Sequence, residues 1–171
     1  MKWIKELFSK NTEVKKINAS VFIPVDEEHI EDVFQQIYDI EKFYKWFNFF
    51  PVLWLSFDKK YMDVGCIGTI RFTMPFFYYK LKVVEVIPNK CIRLEGAGGM
   101  VSGKAFFNFI IKEDGILLEN PHYLVGINKL LHKYYCYCLT PNHPPFMNWR
   151  YSILKKNLFN EIEKKKGNLQ K

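Results

Sequence analysis

The chain has 171 residues, 49% of them hydrophobic and 25% charged, a composition that folds and a length that suits one domain with a real apolar core. Its 25 basic and 18 acidic residues leave a net charge of +7, which suits an anionic partner such as a lipid headgroup surface or nucleic acid and selects neither. No window of eighteen apolar residues occurs, and MKWIKELFSK lacks the apolar run and cleavage site of a secretory signal, so a membrane span is excluded and a cytoplasmic location is expected.

Four cysteines, Cys66, Cys91, Cys136 and Cys138, show no disulfide-framework spacing, which agrees with that location. No repeat, low-complexity tract or linker divides the chain. The expectation is an N-terminal amphipathic segment at 1–13 and a single domain over 14–171. In the first segment Trp3, Ile4, Leu7 and Phe8 fall on one side of a helix, with Lys2, Lys5 and Lys10 away from them. It either docks on its own domain or makes weak membrane-surface contact through residues 1–10.

Ile17, Ala19, Val21, Ile23 and Val25 alternate with Asn18, Ser20 and Pro24, the period-2 pattern of a half-buried strand. Asp26 then offers a helix N-cap, Glu27 and Glu28 favour the positive end of the helix dipole, and Ile30, Val33, Phe34 and Ile37 continue at helical spacing to about Asp39. A second short helical piece carries Phe43 to Phe47. It belongs to EKFYKWFNFFPVLWLSF, where eight aromatic side chains fall within seventeen residues.

From Val52 to Leu124 the pattern is strands and tight turns. The strands fall at Val52 to Phe57, Gly65 to Met74, Tyr79 to Ile87, Cys91 to Glu95, Lys104 to Lys112 and Ile116 to Leu124. Pro88-Asn89, the glycines 96, 98 and 99, and Asp114-Gly115 separate the later ones. Connections this short make the sheet an antiparallel meander. Ile127, Leu130, Leu131, Tyr134, Tyr135, Cys138 and Leu139 then form one apolar helical stripe, which TPNHPP (Thr140 to Pro145) stops. A last helix over about Phe146 to Lys166 places Met147, Tyr151, Leu154, Leu158 and Ile162 on one face.

The order of strand, helical segment, six-strand antiparallel run and long C-terminal helix resembles the START-like (SRPBCC) helix-grip superfamily. That group includes pathogenesis-related allergens, START lipid-transfer domains and polyketide cyclase/dehydrase-like proteins. PVDEEHIEDVF at Pro24 to Phe34 looks like its first-strand-to-helix junction, Asp39 to Val52 like its helix-to-strand passage, and GCIGT at Gly65 to Thr69 like its glycine-bearing third strand. The resemblance implies an α+β helix-grip fold, with a curved antiparallel sheet of about seven strands wrapped around the C-terminal helix. It also implies an apolar cavity for lipids, polyketides, hormones or other hydrophobic molecules. No catalytic signature spans the group, so none is carried over.

Alternation selects the residues that would face such a cavity. A two-residue Asp114-Gly115 turn pairs Phe109 with Asn120, Phe107 with His122 and Ala105 with Leu124, and directly paired residues share a face. Phe107 and Phe109 turn inward because Lys104, Asn108 and Lys112 occupy the alternate set, and Asn120 and His122 turn inward with them. Tyr79, Leu81 and Val83 face in by the same rule and carry Glu85 with them, to a wet rim, a structural ion pair or a ligand. His122 is either a bonded core histidine or a ligand contact. Trp149 lies roughly 160° from the Met147/Tyr151 face at ~100° per residue. It sees the cavity or packs on the Tyr134/Tyr135 helix. Trp46, Phe49 and Phe50 are the rings expected at the pocket mouth.

Other chemistries find less support. His132, Cys136, Cys138 and His143 are zinc-ligand types, but Cys136 and Cys138 diverge by ~200° on a helix, so no metal and no cofactor is expected. No phosphate loop, nucleophile elbow or metalloprotease word is present. Aromatics at core periodicity with few interleaved Lys or Arg argue against nucleic acid. The function expected is non-catalytic binding or transport of a hydrophobic small molecule or lipid. The alternatives are a cyclase, dehydratase or hydrolase using His122 or Glu85 as general acid/base, and a membrane-surface or protein-interaction module.

Overall fold

The computed structural model describes residues 13–73 and 78–169. The amphipathic segment at 1–13, apart from its last residue, lies outside them, as does Met74 at the end of a predicted strand. Seven strands form one antiparallel sheet: β1 (Lys15–Ile23), β2 (Leu53–Phe57), β3 (Ile67–Phe72), β4 (Tyr78–Ile87), β5 (Cys91–Gly99), β6 (Val101–Lys112) and β7 (Gly115–Gly126). Their order across the sheet is β1-β7-β6-β5-β4-β3-β2. The meander runs unbroken from β2 to β7, and β1 closes against its far edge.

Between β1 and β2 the chain makes a 3-10 turn (Glu27–His29), α1 (Ile30–Tyr38) and α2 (Ile40–Phe47). The two helices are separate because Asp39 is extended (ψ 114°) and caps α2, its carboxylate accepting from the Glu41 and Lys42 amides at 2.9 and 3.4 Å. After β7 follow α3 (Lys129–Tyr134), a π-helical turn (Tyr135–Leu139) and α4 (Thr140–Leu169). Together they make one long helical arm across the mouth of the curved sheet. This is the helix-grip architecture that the order of elements implied.

Two expectations about this arm and the sheet are corrected. TPNHPP does not stop a helix, since α4 runs through Pro144 and Pro145. The turns around it have prolines without N–H donors, and two side chains add bonds to backbone carbonyls just before them: Thr140 Oγ1 donates to the Tyr135 carbonyl at 3.0 Å and Asn142 Nδ2 to the Cys138 carbonyl at 2.6 Å. Nor do the glycines end β5. Leu81 pairs with Gly96 and Lys80 with Gly98, so Ala97 is an extra residue and the strand carries a bulge that bends the sheet. Gly99 sits at φ +91°, where a Cβ would meet the Tyr78 carbonyl oxygen at 2.4 Å, so only glycine lets β5 lie against β4 there.

The concave face of the sheet and the buried face of α4 hold the core. Met147, Tyr151, Leu154, Leu158 and Ile162 are buried, as the helical spacing predicted. Along its length α4 packs on β1, α1 and α2. The charged ends are tied as well, by Lys42 to Glu161 at 2.5 Å, Gln36 Nε2 to Glu161 at 3.1 Å, and Lys165 to Asp32.

Candidate functional site

Between the sheet and the helical arm the packing leaves a cavity of about 400 Å³. Every strand contributes to its wall. β2 and β3 supply Leu55, Phe57 and Ile70, β4 and β5 supply Tyr79, Leu81 and Leu94, and β6, β7 and β1 supply Phe107, His122 and Ile17. Phe43 and Phe47 of α2 close one side, while Tyr135, His143, Phe146 and Met147 of the helical arm form the roof. Val52, Cys138 and Asn142, which are exposed, stand at the rim. Among the described residues the wall contains no Asp, Glu, Lys or Arg, and most of it is hydrocarbon.

Two polar side chains lie on this apolar floor, and their arrangement is fixed. Asn120 Nδ2 donates to the Phe106 carbonyl at 2.7 Å, which turns Oδ1 toward His122 Nε2, 2.9 Å away. Nε2 therefore carries the proton and donates, and Nδ1 keeps its lone pair. Above it the His143 ring lies with its centroid 4.7 Å from that of His122, at 58°. Burial pushes the His122 pKa well below the usual imidazole value, with His143 adding to the effect. Burial also lowers His143 to about 4. Both rings are neutral at physiological pH.

The paired register of β6 and β7 differs from the expected one by two residues. Lys112 pairs with Gly115, Phe109 with Leu118 and Ala105 with His122, so the turn residues are Glu113 and Asp114 rather than Asp114 and Gly115. A Cβ on Gly115 would meet the Ile23 carbonyl oxygen at 2.4 Å, which makes this glycine the first strand residue, squeezed against β1. A two-residue shift preserves the face of every side chain. Asn120 and His122 consequently still point inward.

Of the ten side chains proposed from sequence, Tyr79, Phe107, Asn120 and His122 lie on the cavity wall and the other six do not. Phe109, two residues beyond Phe107, is buried under α1 and meets the Phe34 ring edge-on at 5.2 Å. Trp46 is fully buried between α2 and α4, its Nε1 donating to the Gln36 carbonyl at 2.8 Å. Phe49 meets the Trp149 ring at 4.9 Å on the outer surface, and Phe50 is 78% exposed beside Trp54. Trp149 is half-exposed, and the Arg150 guanidinium lies 4.6 Å over its ring while also donating to the Asn48 carbonyl. These rings seal the outside of the α2–α4 junction.

Glu85 is a correction of a different kind. Val83 pairs with Leu94 but Glu85 pairs with Arg93, so Val84 is bulged out of register and the alternation reverses after it. Val86 turns into the core, and Glu85 turns out to an ion pair with Arg93 at 3.2 Å. Glu85 and His122 therefore do not converge in one cleft. Among the described residues no group of three or more His, Cys, Asp or Glu could hold a metal ion.

His143 is the wall residue that the sequence reading placed elsewhere. Leu139, Asn142, His143, Phe146 and Met147 fall at i, i+3, i+4, i+7 and i+8, a helical stripe visible in the sequence once the prolines are allowed inside a helix.

No protein-family profile matches the sequence, and no curated protein does. Solved structures do match in shape. A norcoclaurine synthase point mutant from Thalictrum flavum, in complex with a transition-state analogue, has a TM-score of 0.64 at 14% identity over 90% of this chain and 99% of that one. An uncharacterized protein from Rhizobium leguminosarum has a TM-score of 0.60 at 13% identity, covering 89% of this chain and 99% of its own. DynU16, from the dynemicin biosynthetic locus, has a TM-score of 0.57 at 14% identity over 84% of this chain and 46% of that one. The chain thus has the helix-grip fold. At these identities the likeness fixes the fold and no activity.

Proposed function

We propose that this chain binds or carries a hydrophobic small molecule or lipid in the cavity between sheet and helical arm, without transforming it. The observation that supports this reading is the cavity itself: about 400 Å³ in volume, walled almost entirely by hydrocarbon. That size falls in the range of small-molecule sites, which are apolar with a few fixed polar groups. The Asn120–His122 pair supplies such groups. Tyr79, Phe107, Asn120 and His122 are ligand contacts on this reading, joined by His143 and Phe47.

A synthase with the same fold holds a transition-state analogue, which supports the capacity of the architecture to take up a small molecule. The reaction does not transfer at 14% identity. The acid/base alternative loses its carboxylate, because Glu85 is paired with Arg93 on the outer face. Surface contact of the membrane kind would rest on residues 1–10, outside the described residues. Among the described residues no helix is long and apolar enough to cross a membrane.

The test is native mass spectrometry of the purified chain with organic extraction of co-purifying molecules, alongside titration with the neutral fluorescent probe N-phenyl-1-naphthylamine. A saturable single site that an extracted molecule competes for is the expected result. No co-purifying molecule together with no saturable probe binding would refute the reading.

A further inference from the structure

The cavity wall carries more hydrogen-bonding capacity than the protein itself uses. His122 donates through Nε2 to Asn120 and keeps Nδ1 as a bare acceptor. His143 Nδ1 is buried with no hydrogen-bond partner among the described residues. Polar atoms enclosed by protein are nearly always bonded, so an unused acceptor on a cavity wall marks where a bound group completes it. The lining meanwhile contains no charged side chain among the described residues. A buried carboxylate, phosphate or ammonium would find no counter-ion there, and an unpaired charge in such surroundings is strongly disfavoured.

We infer that the molecule taken into this cavity is uncharged and carries a hydroxyl whose proton is donated to His122 Nδ1, its oxygen lying within the corner formed by His122 and His143. This rests on the ligand-binding reading above and sharpens it to a class: apolar alcohols and phenols rather than fatty acids or ionised headgroup lipids. A hydroxyl suits the corner because it donates, and His122 Nδ1 can only accept. An ether or ketone of the same shape has no proton for His122, which would leave that nitrogen bare and desolvated.

Three ligands that share one ring system separate the possibilities: 2-naphthol, 2-methoxynaphthalene and 2-naphthoate, each titrated calorimetrically against the full chain at neutral pH. The naphthol is expected to bind about tenfold more tightly than the methyl ether, the worth of one hydrogen bond to an acceptor the protein leaves unused. Naphthoate is expected to bind roughly a hundredfold more weakly than naphthol, or not measurably. In His122→Phe and His143→Phe, each checked for folding by circular dichroism, the naphthol-to-ether ratio should fall, to about twofold or less in His122→Phe. Equal affinity of naphthol and ether for the wild type would overturn the inference, because water would then be satisfying the corner. So would tighter binding of naphthoate, or an undiminished ratio in His122→Phe. Either result leaves the cavity as an apolar binding site. Failure of all three ligands to bind would remove the binding reading and this inference with it.

Discussion

Ala105→Leu puts the empty volume to a direct test. Ala105 is buried on β6, pairs with both Leu94 and His122, and lines the cavity. Leucine adds three carbons, which a true void accommodates without moving the walls. At about 0.8 kcal/mol per buried methylene the gain is about 2.4 kcal/mol. Freezing the leucine rotamer removes roughly 0.5 to 1 kcal/mol of that. The net is a stabilisation of roughly 1.5 to 2 kcal/mol, and for a chain of this length that is about 3 to 8 °C in Tm. Urea unfolding should show a raised midpoint with an unchanged slope, since the surface exposed on unfolding is nearly the same. In parallel the affinity for N-phenyl-1-naphthylamine should fall, because the new side chain occupies ligand space. The reasoning is refuted if the variant is destabilised by about 1 to 3 kcal/mol, the signature of overpacking, while probe binding is retained. That pair of results would mean no free volume stands against Ala105.

Acid should destabilise the protein through its two cavity histidines. Burial lowers both pKa values, so between the ordinary 6.5 and the folded value, about 4 for His143, the unfolded chain binds more protons than the folded one. Stability from these groups is therefore full above the ordinary value and is lost as pH falls through that window, by at most about 1.36 kcal/mol per pH unit for each ring. Denaturant midpoints measured across the window should show this slope, and His143→Gln should reduce it by about half. Leu158→Ala, at a fully buried position on α4, should cost about 2 to 5 kcal/mol in the same unfolding assay without changing which ligands bind, since Leu158 is not a wall residue. Glu85→Ala should cost less than about 1 kcal/mol, because its pairing with Arg93 is half-exposed, and it should leave probe affinity unaltered.

Sequence pattern alone carried the sheet and the buried face of α4, because both rest on periodicity. Alternation found the inward set of β6 and β7 even though the turn was placed one residue late on each strand, since the resulting two-residue offset keeps each side chain on its face. What periodicity could not supply were the places where the chain breaks it. The bulge at Val84 reverses Glu85, and the bulge at Ala97 lets β5 run on through its glycines. Neither leaves a composition signal strong enough to separate it from a regular strand or a turn. The helix through TPNHPP hid His143 for a related reason: proline is normally read as a stop, and here the helix runs on through Pro144 and Pro145. The aromatic run at 41–57 divides by helix face, with Phe43 and Phe47 on the cavity, Trp46 against α4, and Phe49 and Phe50 outside.

The energetics of the cavity bear on whether it is ever empty. Closed cavities made by truncating core side chains cost about 24 cal/mol per Å³, so about 10 kcal/mol is an upper bound for these 400 Å³, which open at the rim of Val52, Cys138 and Asn142. Water is a poor filler for most of it, because a buried water needs two to four polar partners and the sheet side from Leu53 to Leu94 offers almost none. The neighbourhood of Asn120, His122 and His143 offers a water more partners. The ligand proposed above, with an apolar body and a single hydroxyl, would fill the hydrocarbon part and the polar corner together. The wall residues that would be swapped for larger apolar ones in a purely structural core, Ala105 and His122 among them, are the ones that such a molecule would need left as they are.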